Sequence, residues 1–330
     1  MSVTNLPKIS VIMPVLNRAD TIEKAIKSVL QQNYPYLEFI ILDGASTDDT
    51  PAIIKRYEAS LAYWHSLPDG SPTVAVNQGI QMATGDLVVL FMADDWYEPN
   101  TFEYIAKAYL ANPHADMFTC AGRIVERHPD THHYKVKMIY DSPRRMALTC
   151  KNICFDVTSA ICCRFIRRDL FKRTGLFPLY DQFGKHMFSN DKAMLIQAVL
   201  HQAQDVFVPY IGHNYLAHAD SSTFGGNHKN ILKLCYEHIE LARTLLAGKQ
   251  LSSSQRYLMH YWYNDQLTRL VLFTALDRDF RTSRHLIRHG FSQYPFFWLP
   301  AFLFTTVKII GKRVGRKVST VVKKKRWLQA

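Results

Sequence analysis

Over the first third of the chain, apolar positions switch repeatedly between a strand period and a helix period. Ile9-Ser10-Val11-Ile12-Met13 is a short β-rich run that Pro14 is expected to end. Ile22, Ala25, Ile26, Val29 and Leu30 then share one helical face. Asp20 and Glu23, three positions apart before that face, have the spacing of a capping box. Phe39-Ile40-Ile41-Leu42 is a continuous apolar run of the buried-strand type. Thr50 before Pro51 reads as an N-cap followed by a first helical residue. A third strand is expected at 61–65, a helix from Ser71-Pro72 to about Ala83, and a further buried strand at 87–91. Pro99 opens a helix to about Leu110, and 117–125 reads as a strand.

Such strand–helix–strand units with apolar strands predict an α/β fold, a mostly parallel sheet with helices on both faces. Ligands of such sheets lie beyond the carboxyl ends of the strands. The polar residues that follow those ends are Asn17, Asp43, Asp69, Asp94 and Asp95. From about 127 to 225 the signal is mixed, with one clear helix over 191–202. Helical signals dominate from about 229, and no internal repeat is present. The expected organisation is a domain over 1–225 in two parts, at about 7–125 and about 126–225. A helical region over 226–330 follows it.

Composition narrows the classes. With 330 residues, 48% of them hydrophobic, the chain can bury a large core, and 21% charged residues is the proportion of an ordered protein. The net charge is +12, but nine basic residues lie between positions 308 and 326 with no acid among them. Basicity therefore belongs to the tail, and a nucleic-acid-binding face is not expected. The six cysteines have neither zinc spacing nor a CxxC pair and read as reduced core thiols of a cytoplasmic protein. No charged segment precedes an apolar run at the N-terminus, so no signal peptide is expected.

Four carboxylate or imidazole positions carry candidate chemistry, each with a plainer structural alternative. Asp43, directly after a buried run and before Gly44, can accept hydrogen bonds from a base or ribose, or cap the next helix. Asp94-Asp95 at a strand end is costly unless solvated or paired with a cation such as Mg²⁺ or Mn²⁺; alternatively it leads into the next helix. Asp191, after Ser189-Asn190, is a general base or an N-cap. His218 is a ligand to metal or phosphate, or one bystander among 14 histidines. No GxGxxG, P-loop or nucleophile elbow is present.

Taken in order, the segments Ile9 to Arg18, Asp43-Gly44-Ala45-Ser46-Thr47-Asp48-Asp49-Thr50, Pro68-Asp69-Gly70, Asn77-Gln78-Gly79-Ile80, Ala83-Thr84-Gly85-Asp86 and Ala93-Asp94-Asp95-Trp96-Tyr97-Glu98-Pro99 resemble the inverting glycosyltransferases of family 2, with the GT-A fold. The likeness spans about 7–125. It implies that Pro14, Asn17 and Arg18 line a nucleotide pocket and that Asp43 binds the uracil edge of a UDP-sugar. Asp69 and Asp86 would lie along the nucleotide-sugar groove, and Asp94 would hold a divalent cation, Mn²⁺ or Mg²⁺, on the diphosphate. Asp191 falls where the family places its catalytic base. Two departures stand out: Met92 occupies the place of the first DxD acid, and Asn190 that of the acid before the base. His218 is the candidate that compensates for Met92 in the metal shell.

The implied partners are a nucleotide-sugar donor and a saccharide or lipid-linked acceptor. A membrane surface is added by the order of residues near the C-terminus. The aromatic run from Tyr294 to Phe304 is too short for a span and is followed by the basic tail, so 294–326 reads as an interfacial anchor on the inner face of the cytoplasmic membrane, or alternatively as an ordinary helix docking on the domain with a solvated tail. The rival readings are a sugar nucleotidyltransferase and a non-catalytic, membrane-associated nucleotide-sugar-binding protein. The first lacks a Gly-rich basic loop after the first strand; Met92 supports the second.

Overall fold

The computed structural model describes residues 6–127, 133–155, 161–179, 187, 189–218, 228–293, 296, 298–300, 302–303 and 305–307. The chain divides into two compact units, Met1–Asn227 and His228–Ala330. In the first unit β1 (Ile9–Val15), α1 (Ile22–Leu30), β2 (Leu37–Asp43), α2 (Thr50–Lys55), β3 (Tyr63–Ser66), α3 (Pro72–Met82) and β4 (Leu87–Leu90) alternate. There follow β5 (Trp96–Tyr97), α4 (Thr101–Ala111), β6 (Met117–Arg127), β7 (Tyr134–Tyr140), α5 (Pro143–Met146), α6 (Cys150–Phe155), β8 (Arg164–Arg167), α7 (Leu170–Thr174), α8 (Asn190–Leu200) and β9 (Asp205–Ala217). The second unit contains α9 (His228–Ala247), α10 (Ser253–Leu276) and α11 (Phe280–Gln293).

The strands form one curled sheet in the order β3-β2-β1-β4-β8-β6-β9-β5, with β7 paired to β6. β3, β2, β1 and β4 run parallel, as the apolar runs of β1, β2 and β4 predict. Beyond β4 the pairing is mixed. β8 is antiparallel to both β4 and β6, whereas β9 runs parallel to β6 and antiparallel to β5. The carboxyl ends of β1, β2, β4, β6 and β9 therefore share one edge.

Side-chain alternation along β1 feeds two cores. Ile9, Val11, Met13 and Val15 pack with Ile22, Ile26 and Val29 of α1 and Phe102 and Ile105 of α4. On the other face Ile40 and Leu42 of β2 pack with Ala75 of α3, and Gly79 of α3 lies against Ile12 so closely that a methyl group there would collide. In the second unit α10 begins with a capping box formed by Ser252 and Gln255, and buried Asp265 accepts from Arg269 Nε (2.8 Å) and Thr305 Oγ1 (2.6 Å).

Two local expectations are corrected. Pro14 does not end β1: it lies inside the strand, buried and opposite Leu42. Ile12 accepts from the Phe91 N–H, so two residues on, the absent N–H of Pro14 faces the side where β4 has already ended its pairing at Leu90. The capping box at α1 does not form. Thr21 is the N-cap without a side-chain cap bond, the Arg18 carbonyl takes the Thr21 and Ile22 N–H groups, and Glu23 instead accepts from Tyr57 Oη (2.8 Å).

One charge is set into the sheet. The buried Glu38 carboxylate of β2 accepts from Lys8 Nζ (2.7 Å), Ser10 Oγ (2.5 Å) and the Thr84 N–H (2.8 Å), tying the amino ends of β1 and β2 to the turn before β4. Burial by itself would raise its pKa; the donors from Lys8, Ser10 and Thr84 outweigh that and hold it at about 2. Its folded pKa is thus below the unfolded value of 4.5, so the stabilisation is present above pH 4.5 and lost as pH falls toward 2. Glu38→Gln is expected to lower the unfolding free energy at pH 7 by about 2–3 kcal/mol. In urea unfolding the gap from wild type should narrow between pH 4.5 and pH 3; a constant gap would contradict this account.

Candidate active site

The loop after β1 is pinned to the loop after β2. Asn17 adopts a left-handed backbone (φ 51°), which Asn tolerates better than most residues. Its N–H donates to Ser46 Oγ (2.7 Å), and its Oδ1 accepts from the Thr47 N–H (2.8 Å). Next to it the Arg18 N–H donates to Thr50 Oγ1 (2.8 Å) and the Ala19 N–H to Asp48 Oδ2 (3.1 Å). The Asp-Gly-Ala-Ser-Thr-Asp run thus shapes the β1 loop as much as its own.

At the end of β2, Asp43 is wholly buried; its carboxylate accepts from the Ser46 N–H (3.0 Å), the Ser46 hydroxyl and Ser66 Oγ (2.5 Å). Asp69 lies against Gly44, where an added Cβ would stand 3.0 Å from Asp69 Oδ2. Burial, and then the neighbouring Asp43, raise the Asp69 pKa.

The carboxylates at 94 and 95 face different surroundings. Asp94 is partly exposed; its Oδ2 lies 2.9 Å from His218 Nε2 and 3.9 Å from Arg18 Nε. Asp95 is buried; its Oδ1 accepts from the Leu216 N–H (3.0 Å) and its Oδ2 bonds His213 Nε2 (3.0 Å). His213 Nδ1 meets Tyr140 Oη at 3.0 Å. Burial raises the Asp95 pKa, opposed by His213. For His213 burial alone would lower the pKa, but Cys163 and Asp95 outweigh it and bring it to about 10.

A cavity of about 740 Å³ opens at this edge. Asn17, Arg18, Asp94 and His218, all singled out from the sequence, line it. Its far end is built by residues that sequence reasoning passed over: Lys24, Trp96, Arg127 and Tyr134. Lys24 Nζ sits 3.0 Å from the centroid of the Trp96 ring and 3.7 Å from that of Tyr134. Loss of water there lowers the Lys24 pKa to about 8; Glu98 opposes the shift and Arg127 adds to it. A lysine on the polar face of a helix gives no such signal until the rings are placed beside it.

Asp191 stands in the first turn of α8, accepting from the Lys192 N–H (2.7 Å). Asn190, where the resemblance expects an acid, donates through its amide to Thr73 at the start of α3 and so docks α8 on α3. Asp191 does not line the cavity. Burial raises the Cys162 thiol pKa, and Asp95, Cys163, Asp94 and Asp191 raise it further.

Two expected pocket residues are placed elsewhere. Asp86 precedes β4, and its carboxylate accepts from the Lys8 N–H (2.8 Å) at the amino ends of β1 and β4. The length of β4 separates it from the site, so it cannot lie along a groove at the carboxyl edge. Pro14 is buried in β1 and, like Asp43 and Asp69, does not line the cavity.

Among the described residues one trio has metal-ligating atoms within 4.8 Å of one another: Asp95, Cys162 and His213, all buried. Asp95 and His213 already satisfy each other, and a protonated thiol does not suit Mg²⁺ or Mn²⁺. The Asp94 carboxylate and His218 imidazole, likewise hydrogen-bonded to each other, offer an oxygen and a nitrogen at the cavity wall, donor types that Mg²⁺ and Mn²⁺ accept.

Residues 10–175, half of the chain, match the family profile described as Glycosyl transferase family 2. An uncharacterised glycosyltransferase of Mycobacterium tuberculosis is 39% identical over 107 residues, 32% of this chain and 41% of that protein. TuaG of Bacillus subtilis, a putative teichuronic acid biosynthesis glycosyltransferase, is 35% identical over 100 residues, covering 29% and 40%. The chain thus spans about two fifths of the length of these relatives. Among solved structures, Staphylococcus aureus TarS 1-349 in complex with UDP-GlcNAc matches with a TM-score of 0.55 at 19% identity, over 90% of this chain and 79% of that one. The mannosyltransferase PcManGT from Pyrobaculum calidifontis, in complex with GDP-Man and Mn²⁺, matches with a TM-score of 0.55 at 18% identity, over 93% and 85%. At these identities the likeness is one of fold.

His213→Gln leaves Asp95 buried without its partner, an omission that costs about 3–5 kcal/mol. The folded pKa of His213 lies above the unfolded 6.5, so its stabilisation is full below pH 6.5 and disappears as pH rises through 10. The stability gap between wild type and the variant in urea should therefore shrink from pH 6.5 to pH 10. An unchanging gap would mean that His213 is uncharged in the folded protein.

Proposed function

Because this chain belongs to glycosyl transferase family 2, we propose that it is an inverting glycosyltransferase. It moves a sugar from a nucleotide sugar, a UDP-sugar, to an acceptor hydroxyl in cell-envelope polysaccharide or glycolipid synthesis. The observation that carries this reading is the convergence of Arg18, Asp94 and His218 on one cavity at the carboxyl edge of the parallel strands. The names of TuaG and of TarS with UDP-GlcNAc support the envelope setting and the donor class.

In this reading Asn17 and Arg18 hold the donor from the β1 loop. Asp43 and Asp69 form the nucleoside end. Asp94 and His218 hold Mn²⁺ or Mg²⁺, and the ion supplies charge neutralisation for the diphosphate. Asp191 takes the proton from the acceptor hydroxyl as its oxygen displaces the nucleotide in a single inverting step. Met92 offers only a soft thioether, so His218 stands in for the missing acid as the nitrogen partner of Asp94.

Thermal shift with UDP and UDP-sugars, with and without Mn²⁺, tests the donor site: a metal-dependent rise in melting temperature is expected. Asp191→Asn should lower transfer by about 10²–10⁴-fold and leave UDP affinity nearly unchanged. Full activity in that variant would remove Asp191 as the base. UDP binding without turnover on any acceptor would keep the donor site and overturn the transferase.

The protein works at the inner face of the cytoplasmic membrane in this reading. Phe296, Leu299, Leu303 and Val307 recur at helical spacing and are 89%, 48%, 58% and 71% exposed, whereas Trp298 and Thr305 on the opposite side are buried. That is the pattern of a helix lying in an interface. Among the described residues no helix is long and apolar enough to cross a membrane. The basic run over 308–326 lies outside the described residues. Deleting 294–330 should abolish co-sedimentation with vesicles containing phosphatidylglycerol; unchanged sedimentation would sink the membrane assignment.

A further inference from the structure

We propose that the far end of the cavity binds the anionic substituent, a carboxylate or phosphate, of a sugar. Lys24 and Arg127 are its charge partners, and Trp96 and Tyr134 are the walls on which the sugar ring lies. The proposal rests on the transferase reading only for the word sugar; the anion site itself follows from the charges.

Arg127 ends β6 and Lys24 projects from α1, and both line the same 740 Å³ cavity as Asp94. That volume is in the range of small-molecule sites, about 300–1,000 Å³. The acids around the two cations are committed elsewhere. Glu126 pairs with Lys137 Nζ (2.6 Å), Glu98 with Arg123 Nη2 (2.5 Å) and Asn214 Nδ2 (2.9 Å), and Asp94 with His218. Asp20 lines the cavity but, among the described residues, neither it nor any other acid forms an ion pair with Lys24 or Arg127. Two cations therefore face one hollow, close enough that the charge on Arg127 disfavours that on Lys24.

The rings explain why a sugar is the carrier. Trp96 and Tyr134 stand 4.6 Å apart at 48°, with the Lys24 ammonium resting against both. A full opposite charge with hydrogen-bond acceptors is a stronger partner for an ammonium than the quadrupole of a ring face. An incoming carboxylate or phosphate draws Lys24 off the rings. Their faces are then open to the C–H face of a pyranose, while Arg127 takes the remaining anion oxygen. A free inorganic anion would use the cations and leave the rings idle.

The anion can sit on the transferred sugar or on the acceptor, and paired probes separate the two. Isothermal titration measures UDP, UDP-glucose and UDP-glucuronate for the donor side. Methyl glucoside, methyl glucuronide and glucose 6-phosphate, each with and without UDP, probe the acceptor side. Wild type should prefer an anionic probe over its neutral counterpart by about tenfold on one of the two sides. Lys24→Gln and Arg127→Gln should each remove that preference while leaving UDP affinity unchanged. Binding of the anionic probe should also change the fluorescence of Trp96, absent in Trp96→Phe, as the ammonium leaves its face.

No preference on either side, or a preference that survives both substitutions, overturns the proposal. Equal weakening of UDP, neutral and anionic probes overturns it as well, since that pattern is structural. If a substituted protein fails to fold, the wild-type preference and fluorescence response still decide the matter. Failure of UDP to bind, with the saccharide probes discriminating as expected, would strike the donor reading and leave this site standing.

Discussion

The buried pair of Asp95 and His213 holds the catalytic edge together. Asp95 closes the end of β4, and its two oxygens reach His213 and the Leu216 N–H, both on β9. β9 is separated from β4 in the sheet by β8 and β6, so a carboxylate must span to it from the loop side. Once that link is made, the next residues of β9 are carried over Asp94, and His218 meets it at 2.9 Å. Burying a charge is costly in apolar surroundings unless a partner and donors surround it, and here both are present. The partner is a histidine whose pKa Cys163 and Asp95 raise against the effect of burial, and the pair is joined by a buried hydrogen bond of 3.0 Å.

Adjacent acids thus have separate duties because they meet separate surroundings. Asp95 is enclosed and ties β9 to the β4 loop, and Asp94 is open to the cavity. The same division runs through the other loops. Asn17 and Ala45 have positive φ, 51° and 64°, and non-glycine residues there carry a cost of order 1–3 kcal/mol. The cost is met by hydrogen bonds that cross from the β1 loop to the β2 loop, from Asn17 to Ser46 and Thr47. Gly44 belongs to this arrangement because Asp69 fills the space a side chain would need. The carboxyl ends of three neighbouring strands are thereby held as one rim.

The cavity beside the β1 loop has two chemical characters. Near Asp94 it offers a carboxylate, an imidazole and the Arg18 guanidinium. Toward Lys24 and Arg127 it offers cations and ring faces. The second character arises where α1, β5, β6 and β7 meet, a junction of elements far apart in sequence. Its lysine ammonium lies 3.0 and 3.7 Å from the centroids of the two rings.

Much of the first unit was legible in the sequence because its signals are short-range. Apolar runs marked β1, β2 and β4 and the helical face of α1, and Ser71 before Pro72 marked the start of α3, where it does cap. Ordered motifs identified the family, and Asn17, Arg18, Asp94 and His218 were found and do meet. Where local rules failed, a long-range contact had taken over. Pro14 is tolerated in β1 because β4 ends beside it, and Glu23 leaves the α1 cap for Tyr57, 34 positions away. Asp86 reads like its motif neighbours but lies at the wrong end of its strand, a fact that only strand direction supplies. The sequence by itself determined the elements, the family and the inventory of acids. Only the tertiary structure decided which acid is buried, which faces the cavity and which cations wait there. Those outcomes depend on pairs such as Asp94 and His218, 124 positions apart, whose distance no local pattern encodes.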